Sequence, residues 1–414
     1  MQRTGSAVSA VEGGCEHWIM QPFTKFGVFW LASAPDRRVP GELVLDAEGL
    51  RLTAFQPLSD PLGAGQVARG GPHRVAYDRV YAAFFDGQEA TLLGVAGFVN
   101  RAPDVRNSER FDLEAVLVGG HTNASSYSAV HVRFDVLNGW ANPEPLTQEI
   151  EDGQTVLTVD PTTLAETRWR DWTIRLRAYP EGRWGPDVHL DQQVQMEIEG
   201  PPTGLRELID GPMRALQDLF VVMVGDPVVI TELFVRPNDP AWTERLPQTY
   251  FHARQPEPSQ RVGPSRFRNW DSRALVVLDD EGISFVDLVP AWLDLYESLG
   301  YGVQLLCAPM YAPFMYIDSR YTFVFQAVER IAKHRFGGQE LPAREHDARV
   351  AEVVGALTAQ GISAEYIEWA RARLQSSNFK KLTALLTELF EATGTAGAAL
   401  LGARADVGRV FTGV

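Results

Sequence analysis

The sequence is poor in cysteine, with only Cys15 and Cys307 among 414 residues. Two cysteines so far apart indicate neither a disulfide framework nor a thiolate metal site, so we expect a reducing compartment. Long apolar runs are also missing, because no stretch approaches the roughly 20 residues that span a bilayer. The first residues lack the apolar core of a signal peptide. These absences predict a cytoplasmic protein without a membrane segment.

Motifs for metals, phosphates and hydrolytic triads are missing as well. The eight histidines include no pair four residues apart, and neither paired cysteines nor clustered aspartate ligands occur. We therefore expect no metal and no cofactor. Gly94 to Gly97 and Gly119-Gly120 lie among predicted strands, which favours turns or bulges over a phosphate loop. Ser125-Ser126 lacks the flanking glycines of a nucleophile elbow.

Positive charge is scarce, since 38 Lys and Arg residues face 53 Asp and Glu residues and the formal net charge is -15 at pH 7. This balance argues against nucleic-acid binding over the whole surface, because attraction to phosphate scales with local positive charge. A local basic site remains compatible with it. Residues 329–381 depart from the acidity of the rest, but a solvated helix face is the better explanation of that departure.

The first two thirds of the chain show strand patterns. Short segments rich in aromatic and β-branched residues alternate in polarity and are separated by turn residues, which predicts an antiparallel sandwich or open barrel. A helix is predicted over Leu205 to Val224. The predicted strands are Phe26–Leu31, Gly41–Asp46, Leu50–Phe55, Val80–Phe85, Glu89–Val95, Phe111–Val118, Ala129–Leu137, Thr155–Val159, Trp172–Ala178, Val194–Glu199, Val228–Val235 and Arg273–Leu278.

The last third has helical periodicity. Helices are predicted over 288–299, 318–336, 347–360, 364–374 and 378–393, and the proline-containing segment from Cys307 to Tyr316 is predicted as a loop. The sequence thus predicts an α+β protein with an antiparallel β-sandwich-like domain followed by an all-α bundle. We place a disordered terminus at 1–18, the β-rich domain at 19–280 with a linker or long loop at 237–271, and the helical domain at 281–414.

The predicted helix 318–336 carries the most closely grouped polar residues. Its apolar face comprises Tyr321, Val324, Phe325, Val328, Ile331 and Ala332. Its polar face comprises Arg320, Gln326, Glu329, Arg330, Lys333 and His334. Pairs four residues apart are common surface interactions. The alternative is metal-independent RNA cleavage, which needs a base for the 2′-hydroxyl, an acid for the leaving oxygen and a cation for the phosphorane.

Several segments resemble a known family. Gly27-Val-Phe-Trp-Leu31, Val39-Pro-Gly-Glu-Leu43 and Pro212-Met-Arg-Ala-Leu-Gln-Asp-Leu-Phe220 resemble the ApeA N-terminal domain of bacterial anti-phage defence proteins. Tyr311-Ala-Pro-Phe-Met-Tyr316 and Gln326-Ala-Val-Glu-Arg-Ile-Ala-Lys-His334 resemble the first helices of an ApeA-like HEPN domain. The likeness extends over nearly the whole chain in order.

The resemblance implies an abortive-infection effector, in which a sensing domain regulates a HEPN ribonuclease. The expected partners are an RNA substrate, with tRNA as one candidate, a phage-derived trigger and further copies of the chain, since HEPN sites commonly form across a dimer. The family signature of Arg, usually Asn, and a later His is not found before Val414. We therefore expect a truncated chain or a nuclease-dead member, with Arg320, Glu329 and His334 as supporting residues.

A second hypothesis is a non-catalytic sensor or scaffold. Its β-rich domain would bind a phage or cellular ligand through aromatic residues such as Trp169, Trp172 and Trp184. Tryptophan is more often a packing residue than a binding platform. Burial of these three side chains would remove the support for this hypothesis.

Overall fold

The chain divides into two compact units. The first comprises Met1–Val224 and Val228–Leu293, and the second comprises Gly225–Pro227 and Asp294–Val414. A computed structural model describes residues 22–46, 48–59, 73–99, 108–141, 143, 148–151, 154–157, 161–183, 189–239, 248–252, 284–312 and 315–401. The predicted disordered terminus and the predicted strand Arg273–Leu278 lie outside the described residues.

The first unit is built on one antiparallel sheet of thirteen strands, and a separate hairpin, β9 with β10, completes its described strands. The thirteen strands follow the order β11-β12-β13-β8-β14-β15-β7-β5-β4-β1-β2-β3-β6. The strands are β1 Phe23–Leu31, β2 Val39–Asp46, β3 Gly49–Ala54, β4 His73–Phe84, β5 Glu89–Val99, β6 Glu109–Asp112, β7 Ala115–Val118, β8 Tyr127–Phe134, β9 Gln148–Glu151, β10 Gln154–Leu157, β11 Thr162–Trp169, β12 Trp172–Arg183, β13 His189–Thr203, β14 Ile230–Pro237 and β15 Gln248–His252.

Six of these strands form a closed ring, because β6 at the end of the order also pairs with β5. Strand β5 is long enough to serve two neighbours, with Ala90–Leu93 paired to β7 and Ala96–Phe98 paired to β6. Glycine is required where the ring closes, because a Cβ on Gly97 would lie 2.1 Å from the carbonyl oxygen of Arg110. The interior of the ring is filled by the buried side chains of Phe29, Leu43, Leu52, Leu92 and Phe111.

The open part of the sheet buries one face under helices. Helix α1 (Leu137–Ala141) is followed later by α2 (Leu205–Leu208), a π-helical turn (Ile209–Met213) and α3 (Arg214–Val224). The ring of Phe220 lies 5.5 Å from that of Phe134 and 5.0 Å from that of Trp140. Pro212, which has no N–H to donate, accounts for the irregular turn within the predicted helix Leu205 to Val224.

Two strand predictions need correction. The single strand predicted over Phe111–Val118 is two strands, β6 and β7. Strand β6 pairs near the end of β5, and β7 pairs near its beginning. The segment predicted as a linker or long loop, 237–271, contributes β15, which pairs with both β14 and β7. The segment from 253 to 271 lies outside the described residues.

Helices follow the β-rich part, and the predicted α+β class is confirmed. The helices are α4 Phe285–Leu299, α5 Tyr301–Tyr311, α6 Ile317–Phe336, α7 Ala343–Ala359, α8 Ala364–Gln375 and α9 Leu382–Leu401. Part of the loop predicted from Cys307 is wrong, because α5 continues to Tyr311 with Pro309 buried inside it. Among the described residues, no helix combines the length and apolarity that crossing a membrane requires.

Candidate functional site

Helix α6 carries the three residues predicted to support catalysis. Arg320 is exposed near its beginning, Glu329 is half-buried in its second half, and His334 is exposed in its last turn. A helix turns about 100° and rises about 1.5 Å per residue. The nine steps from Arg320 to Glu329 therefore give about 180° of rotation. The fourteen steps from Arg320 to His334 give about 21 Å along the axis, so the three side chains do not meet within one chain.

Polar residues in the second half of this helix already have partners. The Oε1 atom of Glu329 lies 2.6 Å from Nζ of Lys333, one turn later on the same helix. The Nε atom of Arg330 donates a hydrogen bond of 3.2 Å to the carbonyl oxygen of Leu299. Arg330 therefore fixes α6 against the end of α4. His334 lies between Lys333 and Arg335, and this basic last turn is favourable at a helix C-terminus.

The apolar face predicted for α6 is buried only in part. Ala332 is buried as predicted, but Tyr321 is 69% exposed and Ile317, which precedes it by one turn, is 80% exposed. Val324 and Phe325 are also exposed, and the rings of Tyr321 and Phe325 stack with centroids 5.8 Å apart. Periodicity indicates which residues share a face, but it does not show how much of that face a neighbour covers. We call Ile317, Tyr321, Val324 and Phe325 the α6 apolar patch.

A second group of polar residues lies on the open sheet and was missed in the sequence. Residues two apart on a strand share a face. This places Arg175, Arg177 and Tyr179 of β12 beside Glu197 and Glu199 of β13. Strand β13 also pairs with β8, and β8 pairs in turn with β14. We call the set the charged sheet face; its members are Arg133, His131, Glu166, Arg175, Arg177, Tyr179, Glu197, Glu199, Glu232 and Arg236.

Ion pairs connect this face across five strands. Arg175 contacts Glu166 at 2.6 Å and also donates to Glu199. Glu199 accepts a second hydrogen bond of 3.1 Å from Arg236. Glu197 lies 3.4 Å from Arg177 and accepts a hydrogen bond from the Tyr179 hydroxyl. Arg133 and Glu232 form a further pair at 3.0 Å. Four arginines and four glutamates are thus paired on this face, in three groups.

The surroundings of these groups shift their pKa values. Burial, followed by the neighbouring Glu197 carboxylate, raises the pKa of Tyr179 to about 12, so its hydroxyl stays a donor. Burial would raise the pKa of Glu199, but the hydrogen bonds and charges of Arg175 and Arg236 outweigh it and lower that pKa. Burial lowers the pKa of His131 below 6.5, so its imidazole is neutral at pH 7.

His131, Glu197 and Glu199 each offer a ligand atom, and these atoms all lie within 4.8 Å of one another. His131 is only 7% exposed and Glu197 only 3%. Sequence spacing could not reveal the group, because cross-strand pairing brings it together. The available signal was the alternation Arg175-Leu-Arg-Ala-Tyr179 and Gln195-Met-Glu-Ile-Glu199, which repeats charged or polar residues on one face of two neighbouring strands.

The predicted aromatic platform receives limited support. Trp169 and Trp172 are half-buried, and Trp184 lies outside the described residues. The guanidinium of Arg170 covers the ring of Trp169 at 4.8 Å. The ring of Trp172 lies against Gly200, where an added Cβ would come within 2.2 Å of it. Both described rings therefore have contacts within the chain.

Comparison with known proteins gives one family. The model described as ApeA N-terminal domain 1 matches residues 24–292, which extend from β1 into α4. No curated protein and no solved structure matches the chain.

Proposed function

The chain belongs to the ApeA N-terminal domain 1 family, and we propose that it is an anti-phage, abortive-infection effector acting in the bacterial cytoplasm. The match over residues 24–292 carries this proposal. In it, the β-rich unit senses a phage-derived trigger, and the helical unit acts as a HEPN-type ribonuclease.

The sensing role is supported by the charged sheet face. Glu197 is almost fully buried on a polar face, and a buried charge needs a paired partner to remain stable. A ligand that displaces one member of such a pair would leave the other unpaired, so a small contact would have a large effect on the fold. This coupling suits a unit whose task is to detect a trigger.

The catalytic role would use residues of α6. In the supporting role expected for them, Arg320 and the exposed His334 would bind the phosphate on which negative charge develops during attack by the 2′-hydroxyl. Glu329 would act as a positioning residue through its 2.6 Å ion pair with Lys333. No metal is needed for these steps.

Self-association would complete the site. Arg320 and His334 are about 21 Å apart along α6, so one chain alone does not place them on the same phosphate. Arg320 directly precedes Tyr321 and lies beside the α6 apolar patch. A second copy packed on that patch would cover side chains that are otherwise exposed to water, and would bring Arg320 into an interface.

RNA ends from infected cells test the ribonuclease role. Attack by a 2′-hydroxyl leaves a 2′,3′-cyclic phosphate and a 5′-hydroxyl end, and sequencing of 5′-hydroxyl ends records each cut. Cells carrying the complete natural reading frame should accumulate such ends after infection. His334→Ala should reduce them at least tenfold, whereas Arg373→Ala, which removes an exposed cation of α8, should not.

The alternative function is a non-catalytic sensor or scaffold. The charged sheet face favours it, since that face offers a binding site without requiring a nuclease. Protection from phage that persists without any infection-dependent RNA cleavage would favour this alternative over the ribonuclease.

A further inference from the structure

We propose that His131, Glu197 and Glu199 bind a divalent transition-metal cation, for which Zn²⁺ is the best match. Strand pairing sets His131 directly opposite Glu197, and Glu199 follows two residues later on the same face. One imidazole and two carboxylates form a donor set that suits zinc, whereas magnesium and calcium prefer oxygen ligands alone. This site is separate from the α6 residues and does not depend on the ribonuclease proposal.

The histidine gives the first reason for a ligand. The Nε2 atom of His131 is buried and has no hydrogen-bond partner among the described residues. Buried polar atoms are nearly always paired, so such an atom calls for an explanation. A neutral imidazole nitrogen with an unshared electron pair is the form that coordinates metals.

The distances give the second reason. The three ligand atoms lie within 4.8 Å of one another. Zinc bonds of about 2.0 to 2.2 Å bring neighbouring ligand atoms to roughly 3.5 Å. Small rotations of the glutamate side chains would shorten the distances between the ligand atoms enough. Adjacent strands already hold the Cα positions in place, so the backbone does not need to move.

The nearby arginines decide how tight the binding is. Arg175 and Arg236 donate to Glu199, and Arg177 lies 3.4 Å from Glu197. A carboxylate has about four lone-pair positions, so these donors can remain as outer partners that orient the ligands. The positive charges of these three arginines nevertheless repel an added cation. We therefore expect weaker binding than in a site without nearby cations.

This repulsion predicts the direction in which Zn²⁺ affinity changes when an arginine charge is removed. Arg236→Gln removes a positive charge beside Glu199, so it should tighten Zn²⁺ binding about three- to tenfold. If the same arginines instead formed an anion-binding pocket, Arg236→Gln would weaken binding at this site. Weaker Zn²⁺ binding by Arg236→Gln would therefore overturn the proposal.

Calorimetric titration of Zn²⁺ into the full chain, after removal of bound metal by a chelator, measures the affinity. The wild type should bind one ion at this site, and His131→Asn and Glu199→Gln should each weaken that binding at least tenfold. His121→Asn is the matched control, because His121 lies near Glu89 at 3.6 Å but outside the group. It should leave the affinity unchanged.

Two results would contradict the site. One is an absence of Zn²⁺ binding by the wild type. The other is equal binding by the wild type and both ligand variants. If His131→Asn fails to fold, visible absorption of Co²⁺ bound to the wild type and to Glu199→Gln decides the question. The wild type should then show bands of a nitrogen and oxygen ligand field that Glu199→Gln lacks, and identical spectra would overturn the proposal.

Discussion

His131 and Glu197 face each other directly across the pairing of β8 with β13, and both side chains are almost completely buried. The pair lies on the polar side of the open sheet, opposite the side that packs under α1 and α3. Burial of ionisable groups on a sheet face is costly unless they are paired. The charged sheet face is therefore a feature whose loss should be measurable.

Glu197→Gln should lower the free energy of unfolding by about 2 to 3 kcal/mol. The substitution keeps the shape of the side chain but removes the charge that faces Arg177, and it weakens the acceptor of the Tyr179 hydroxyl. Equilibrium unfolding in urea, followed by the circular dichroism of the sheet, measures the change. Glu166→Gln, which alters a more exposed ion pair of the same face, should cost no more than about 1 kcal/mol. Equal costs for both would mean that burial of the Glu197 carboxylate is unimportant.

Gly200→Ala should destabilise the β-rich unit by about 1 to 3 kcal/mol. Its new Cβ would lie 2.2 Å from the ring of Trp172, so the indole must shift. Gly355→Ala provides a control of opposite sign, because Gly355 lies inside α7 with no atom within 4 Å of the added Cβ. Alanine should stabilise that helix by about 0.5 to 1 kcal/mol. Thermal unfolding, monitored by tryptophan fluorescence and circular dichroism, measures both changes. A neutral effect of Gly200→Ala would contradict the packing role of Trp172.

Asp86→Asn removes the ion pair with Lys25 and should lower the free energy of unfolding by about 1 kcal/mol at pH 7. The loss is small because Asp86 is half-exposed and water screens its charge. Partial burial would raise the pKa of Asp86, but its hydrogen bond with Lys25 and the backbone N–H of Gln88 outweigh this and lower the pKa below 3.8. A carboxylate whose pKa is lowered by folding stabilises the folded state above pH 3.8, and that contribution is lost as the pH falls through the pKa of the folded state.

The difference between Asp86→Asn and the wild type should therefore shrink when urea unfolding is repeated below pH 3.8. Asp36→Asn, in an exposed turn, is the control and should match the wild type at both pH values. A gap between Asp86→Asn and the wild type that stays constant with pH would exclude the ion pair as its cause.

Tyr321→Lys should weaken self-association at least tenfold by placing a charge in the α6 apolar patch. Tyr321 stacks on Phe325 and is 69% exposed, so the change should leave the fold of the chain intact. Sedimentation velocity over a range of concentrations measures the association. Tyr366→Lys alters a tyrosine of similar exposure on α8 and should leave it unchanged. A wild type that stays monomeric at every concentration would refute the role of the patch.

The sequence predicted the elements better than their contacts. Alternation in Gly41–Asp46 and Leu50–Phe55 located β2 and β3, because one side of each strand faces an apolar interior. The ring closure through β5 was not predictable, since it depends on β5 pairing with two neighbouring strands through different parts of its length. Similarly, the exposed first half of α6 has the same periodicity as its buried second half, and only the position of the neighbouring helices distinguishes them.

The candidate site was predicted even less well. Arg320, Glu329 and His334 share one helix, yet helical rotation and rise place them apart. Their role stays a prediction. His131 and the two glutamates come from strands distant in sequence, and a search for short metal motifs could not find them. Pairing of β8 with β13 is what creates that group.

The most direct test of membership in phage defence is the efficiency of plating. A bacterial host carrying the complete natural reading frame under its own promoter is compared with the same host carrying an empty vector, over a panel of unrelated phages. We expect at least one phage to form plaques 100-fold or more less often on the host that carries the gene, with infected cells dying before phage release. Equal plating of every phage on both hosts, with the protein shown to be present, would contradict a defence function.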